Sequence, residues 1–345
     1  MRSGFLPARV VQVHPTRACN LACAHCYSDS SPNKYDALGA APLIDALAGL
    51  RAEGYEIVSF SGGEPLVYRE LDRVACAARE QGYRAHLITN GLLLSETRLQ
   101  SLRASFDLVG VSLDGQESTH NAVRLRADAF AKAMRALRVL SESDMRFGIV
   151  FAVTAKSFGD VPWVFELASE LGAALLHLRP LAPEGRARSM SNDWALGEED
   201  CTRLYVLGEL LAAHSPDTLR VQVDLVPVSH LSEARTQFAL LNATMRIETL
   251  SDAVNPLVID ERGCCLPFSY GIDPGLELAN ILATETTGAY RPRPESMLRI
   301  TKLLERAFDE AEQDSASCID WFAHLTRMSR DQGRERMPNA AALTA

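Results

Sequence analysis

Six times between residue 8 and about residue 215, a short β-branched run is followed by a helical stretch, and that rhythm leaves few folds open. The apolar runs at 9–14, 56–61, 84–89, 108–113, 146–154 and 174–179 have strand length. Amphipathic segments at 42–53, 69–81, 96–105, 128–142, 162–171 and 198–214 follow them in turn. Alternation of this kind predicts an α/β fold, because parallel strands need a long crossover between them and a helix is the usual one. In such folds ligands bind beyond the carboxyl ends of the strands. Segments directly after each run are therefore the first places to look for chemistry.

At 345 residues, 47% of them hydrophobic, the chain can bury a large core and fits one big domain with a smaller one appended. The formal net charge of −9, with no dense Lys/Arg run, argues against a nucleic-acid partner, since phosphate binding needs clustered positive charge. No run approaches the ~18 apolar residues of a membrane span, and residues 1–7 lack the apolar core of a secretion signal. A cytoplasmic location is the expectation. Eight cysteines in a reducing compartment are then divided between metal ligation and burial rather than disulfides.

After the first run the sequence reads Cys19-Asn20-Leu21-Ala22-Cys23-Ala24-His25-Cys26-Tyr27. A fully thiolate-ligated iron–sulfur cluster uses four cysteines, so three in one loop suit a [4Fe-4S] cluster with one iron left open. Structural zinc is the competing reading, with His25 as a fourth ligand, although zinc sites of this kind usually pair two Cys/His arms and no second arm lies near.

The second run ends in Ser61-Gly62-Gly63-Glu64-Pro65, the third in Thr89-Asn90-Gly91 and the fourth in Ser112-Leu113-Asp114-Gly115. Taken singly, each could be ordinary turn chemistry. Ser112 and Asp114 are two apart, so both can face one pocket while Leu113 faces away. Further on, Arg124 precedes Leu125 and Phe130, and the sixth run exits through Arg179-Pro180-Leu181-Ala182-Pro183-Glu184-Gly185-Arg186.

In this order the C-x3-C-x2-C loop and the Gly-Gly-Glu-Pro segment resemble the radical SAM superfamily over nearly the whole chain. The resemblance implies a partial (βα)6 barrel and a cluster held by Cys19, Cys23 and Cys26, whose open iron takes S-adenosylmethionine. It also implies reductive cleavage of that molecule to a 5′-deoxyadenosyl radical, which abstracts a substrate hydrogen. Contacts to S-adenosylmethionine would come from Tyr27, Gly62, Gly63, Glu64, Pro65, Asn90, Ser112, Asp114, Arg124 and Arg179, with Asp114 and Arg179 also open to substrate. Arg124 would clamp a carboxylate, though Leu125 stands where the family places a glycine. A reductant such as flavodoxin or ferredoxin would supply the electron.

The rhythm stops at about Leu219, giving expected boundaries of 1–216 for the barrel, 217–337 for a small α+β C-terminal extension and 338–345 for a flexible tail. Short strands at 257–260 and 264–268 flank Glu261-Arg262-Gly263 and resemble the start of a SPASM or twitch extension, with helices at 293–312 and 319–330. Cys264, Cys265 and Cys318 are too few for a full auxiliary set, and remain the candidate ligands of one auxiliary Fe-S cluster or parts of a degenerate domain that closes the barrel mouth. Cys76 reads as a packing residue. Peptide maturation is the first functional expectation. The alternatives are small-molecule or cofactor chemistry on a sugar, nucleoside or tetrapyrrole, and a non-enzymatic Fe-S or zinc sensor.

Overall fold

The computed structural model describes residues 8–190, 192–243, 249–283, 294–314 and 316–335. All six expected strands form: β1 (Val10–Val13), β2 (Ile57–Phe60), β3 (Arg84–Thr89), β4 (Leu108–Leu113), β5 (Phe147–Val153) and β6 (Leu175–Pro180). They pair in chain order, every neighbour parallel. The six expected crossover helices also form, within a few residues of their expected ends. The result is an α/β partial barrel with a small α+β region at the C-terminal end.

The parallel set does not stop at the sixth strand. Helix Glu198–His214 is itself a crossover, and it delivers β7 (Arg220–Val223), which pairs parallel with β6. The Arg-Val-Gln-Val alternation is a strand signal too short to stand out alone. Beyond it, β8 (Val226–Pro227) leads into helix Val228–Ala243, an element not expected from the sequence pattern.

The C-terminal hairpin joins the same sheet. β9 (Leu257–Ile259) pairs parallel with β1, β10 (Cys264–Pro267) turns back antiparallel, and β11 (Ala279–Asn280) follows. Gly263, at φ +82, makes the turn expected at Glu261-Arg262-Gly263. The order is therefore β11-β10-β9-β1-β2-β3-β4-β5-β6-β7, and β9 covers what would otherwise be an open edge at β1. The Asn255 side chain accepts from Val10 N–H at 2.9 Å and Tyr55 donates to the Val254 carbonyl at 2.6 Å, fixing the approach. β12 (Cys318–Ile319) pairs with β8 in a separate two-stranded ribbon, followed by helix Trp321–Glu335. Residues 1–7 and the expected tail at 338–345 lie outside the described residues.

Burial alternates along the strands. Val11, Val13, Phe60, Leu87, Val111, Phe151, Leu176 and Leu178 are fully buried against the helices. Gln12, Ser59, His86, Ser112, Val150 and His177 occupy the other face and keep partial exposure. A closed core would make both faces apolar; the polar inner face marks a hollow one. The sequence motifs lie at the carboxyl ends of these strands.

Candidate active site

The cysteine loop is held by the Gly-Gly turn beneath it. Gly63 N–H donates to the Thr16 carbonyl and Glu64 N–H to the Ala18 carbonyl, both at 2.9 Å. A Cβ on Gly63 would lie 2.2 Å from the Ala18 oxygen, and Gly62 sits at φ +103 with its missing Cβ 2.9 Å from His14 Cα. These glycines are required by the approach of two backbones, which places the turn hard against the cluster motif.

Glu64 is buried and turned inward, so it acts through the frame. Its Oε1 accepts from the Thr89 hydroxyl at 2.7 Å and Leu66 N–H at 3.0 Å, and Oε2 accepts from Asn90 N–H at 2.8 Å. Burial raises its proton affinity, and these donors oppose that rise. Pro65 opens the short helical turn Pro65–Val67. Asn90 in turn donates to Asn20 Oδ1 at 2.7 Å and approaches Cys19 Sγ at 4.0 Å. The ends of β2 and β3 are thus tied to the cysteine loop.

Asp114, 1% exposed, anchors the opposite wall. Arg124 grips it through Nε and Nη2, the latter at 3.0 Å, and His25 Nε2 lies 3.1 Å from Oδ1. Burial alone would raise the Asp114 pKa, but Arg124 and His25 hold it well below the usual carboxylate range. His120 Nδ1 accepts the Asp114 N–H at 3.2 Å, and burial lowers its pKa to about 4, so it is neutral with its proton on Nε2. The third donor of Arg124, Nη1, faces Cys23 Sγ at 3.9 Å. Arg124 sits at the end of helix Glu117–Arg124, which the sequence reading passed over, and Leu125 adopts the left-handed conformation (φ 54) where a glycine would be unstrained.

Burial, with the charges of Glu64, Cys23 and Cys26 behind it, pushes the Cys19 thiol up to about 12, and burial likewise raises Cys23. Thiols with a high cost of ionisation, as at Cys19 and Cys23, are a donor set that calls for positive charge. Ser30 N–H points at Cys26 Sγ at 3.3 Å, so each sulfur has an N–H group turned toward it, the kind of contact that tunes an iron–sulfur cluster. Among the described residues, no three His, Cys, Asp or Glu side chains converge on a single ion. His25 turns its Nε2 to Asp114 rather than to the sulfurs, so it is not placed as the fourth ligand of a tetrahedral zinc. In a cubane each thiolate takes a different iron, so the three cysteines fit that group.

Around the other side of the hollow, Arg179 Nε lies 2.8 Å from Asp224 Oδ2, and Asp224 Oδ1 meets His177 Nε2 at 2.5 Å. Asp224 was missed, being the residue just past an unrecognised strand. Tyr27 leans toward Ser61 (3.2 Å between hydroxyls), and His14 stacks on Tyr270 at 4.9 Å. Burial, then Arg179, lowers the His14 pKa to about 3, so this ring is neutral. Asp320, from the C-terminal region, is pushed up to about 6 by burial. Ser112 lines the inner face of β4 as expected.

The candidate auxiliary cysteines do not gather. Cys264 and Cys265 are adjacent on β10 and so point to opposite faces, with Cys264 Sγ 3.5 Å from Asn280 Nδ2, while Cys318 belongs to the separate ribbon.

Comparison with known proteins agrees with this geometry. Residues 13–158 match the radical SAM superfamily. The chain is 34% identical over 189 residues to the Fe-coproporphyrin III synthase of Methanosarcina barkeri, covering 53% of this chain and 47% of that one. It is 25% identical over 173 residues to the sporulation killing factor maturation protein SkfB of Bacillus subtilis, covering 50% and 42%. The chain spans about half the length of these curated relatives. Its fold is similar to that of anSMEcpe with bound S-adenosylmethionine, with a TM-score of 0.60 at 21% identity over 98% of this chain and 96% of that one. The three-cysteine loop and the glycine turn both lie within residues 13–158, the stretch of this chain that matches the radical SAM superfamily.

Proposed function

We propose that this chain is a radical SAM enzyme acting on a small molecule, with a carboxylate-bearing tetrapyrrole as the leading substrate class. When bound, the [4Fe-4S] cluster and S-adenosylmethionine supply the one-electron cleavage that yields a 5′-deoxyadenosyl radical. Cys19, Cys23 and Cys26 would hold the cluster. Asn90, Arg124 and the Ser30 N–H direct positive dipole or charge at the sulfurs, which favours their thiolate form. Asp114 keeps Arg124 aimed and charged. The boundaries 1–216 and 217–337 stand as a proposed functional division, with the reservation that one sheet crosses it.

The observation that carries the substrate class is the 34% identity to Fe-coproporphyrin III synthase. Two features of the structure support it. Tyr27 packs at an angle against the stacked pair of His14 and Tyr270, giving an apolar aromatic contact for a ring system, and Arg179, held through Nε by Asp224, lies near Tyr27 with its remaining nitrogens for a side-chain carboxylate. Cys264 and Cys265 point to opposite faces of one strand and Cys318 lies in the separate ribbon, which favours an extension that closes the barrel mouth over one that carries an auxiliary cluster. Peptide maturation, the first expectation from sequence, is supported by the lower identity to SkfB and becomes the second reading. A flavodoxin or ferredoxin is the proposed reductant.

The test is anaerobic reconstitution with iron and sulfide, reduction, and measurement of 5′-deoxyadenosine. Cleavage by the wild type and none by Cys23→Ala is the expected result; retained cleavage in the variant would sink the assignment. A carboxylate-bearing iron porphyrin should raise 5′-deoxyadenosine formation and be converted, with iron coproporphyrin III sought as the product. If it does neither while a peptide does, the peptide reading replaces it.

A further inference from the structure

Arg186 lies in the loop that leaves β6, far in sequence from the cysteines, and none of the roles set out above uses it. Its side chain nevertheless turns all three of its nitrogens to the cysteine loop. Nε donates to the Cys23 carbonyl at 2.9 Å, Nη1 to Asp29 Oδ1 at 2.8 Å and Nη2 to the Ser30 carbonyl at 2.7 Å. Its backbone N–H donates to the Cys26 carbonyl at 2.9 Å. One residue therefore holds the main chain at two of the three cysteines, and also at Ser30, whose N–H points at Cys26 Sγ.

The preceding residue shows how close the two loops are. Gly185 has φ +53, and a Cβ there would lie 2.3 Å from the Cys26 oxygen and 2.4 Å from the Tyr27 oxygen. Glu184 continues the connection outward, with Oε1 accepting from Arg330 Nη1 at 2.9 Å and Oε2 from Arg188 Nη2 at 2.9 Å. Arg330 belongs to helix Trp321–Glu335 and also donates to the Gly271 carbonyl, next to Tyr270. The C-terminal helix is thus tied to the cysteine loop through the Arg330–Glu184 ion pair and the two backbone steps from Glu184 to Arg186.

From this we infer that Arg186 is a positioning residue for the cluster loop, a clasp that sets the direction of the Cys23 and Cys26 side chains, braced by the C-terminal helix through Glu184 and Arg330. The inference rests on the cluster reading of the three cysteines. It gives the C-terminal region a role that needs no cysteines of its own, since it braces the loop from outside. The planar fork is what the site uses: three acceptors in three directions are met by one rigid group, and a lysine could meet only one or two of them.

The experiment compares wild type with Arg186→Gln, Arg186→Lys and Arg330→Gln. Hydrogen exchange over residues 19–31 is read on iron-free protein. Iron and sulfide per chain, the rate of cluster loss to a chelator and the cluster's reduction potential are read after reconstitution. The expected result for both Arg186 variants is a normal circular dichroism spectrum, faster exchange confined to 19–31, and cluster loss about 10-fold faster than wild type, the scale on which outer-shell partners act. Lysine should not rescue, the potential should shift, and Arg330→Gln should give a smaller change of the same sign. Wild-type exchange and cluster retention in Arg186→Gln would overturn the inference. So would global unfolding of both Arg186 variants, which would make the arginine a support of the whole fold. If wild type takes up no cluster, the cluster reading fails and the positioning role falls with it; wild-type uptake with unchanged variants sinks the clasp alone.

Discussion

Replacing Asp114 by Asn removes one charge from a nearly water-free ion pair, and the structure lets the cost be bounded. Asp114 is 1% and Arg124 8% exposed, so solvent screens the pair little. Breaking a buried pair by deleting one partner costs about 3–5 kcal/mol, because the other charge is left uncompensated. Asn retains one acceptor oxygen for Arg124, which places the expectation near the lower end, about 3 kcal/mol. Urea unfolding followed by circular dichroism on iron-free protein reads this directly, and with a slope of about 3 kcal/mol per molar the midpoint should fall by about 1 M. Asp114→Asn/Arg124→Met removes the stranded charge as well and should recover part of the loss. The pH dependence has a definite sign. Because the folded pKa is depressed, the native state binds fewer protons than the unfolded chain below about pH 4, so the pair's contribution is complete above that value and is lost on acidification. A loss below about 1 kcal/mol at pH 7, or a double variant no better than the single, would refute the account of Asp114 as the buried anchor of Arg124.

Gly63→Ala forces a methyl to 2.2 Å from the Ala18 carbonyl oxygen, so it should destabilise by about 1–3 kcal/mol and lower iron uptake; wild-type uptake in a folded variant would count against the turn as the seat of the cysteine loop. Glu64→Gln turns an amide donor toward a site that needs three acceptor contacts, and a cost of about 1–3 kcal/mol is expected in urea unfolding, with weaker S-adenosylmethionine binding as the functional readout. Asp320 has the opposite sign to Asp114: its folded pKa is raised to about 6, so the folded state loses stability as pH rises from about 4 to 6 and the penalty persists above. Asp320→Asn keeps an acceptor for the Ala323 N–H, now at 3.0 Å, and should be more stable than wild type at pH 7 by at most about 3 kcal/mol, with no gain at pH 4. Equal thermal midpoints at pH 7 would show that Asp320 is not desolvated.

Local patterning carried the barrel. Runs such as Arg84–Thr89 and Leu108–Leu113 are long and β-branched enough to announce themselves, and the helices between them alternate on the expected period. β7 and helix Val228–Ala243 were not legible, since four residues of Arg-Val-Gln-Val carry little signal until β6 supplies a partner. The hairpin at β9 and β10 was legible from its turn, but its place beside β1 was not, because pairing between residues some 245 positions apart leaves no local mark.

The sequence by itself determined the chemistry's raw material: three thiols in one loop, a glycine turn one unit later, and polar residues at the ends of strands three and four. Those are short-range facts, set by spacing along the chain. Only the tertiary structure decided the roles. Glu64, Asp114 and Arg124 read from sequence as ligand contacts, and the fold adds partners within the protein, Asn90 for Glu64 and both Arg124 and His25 for Asp114, because buried charge persists only where it is paired. The same folding brought Arg186 from the middle of the chain, and Tyr270 and Arg330 from its C-terminal part, to the cysteine loop and its surroundings. Their side chains look ordinary in sequence, since what distinguishes them is a set of acceptors that exists only once the strands have assembled.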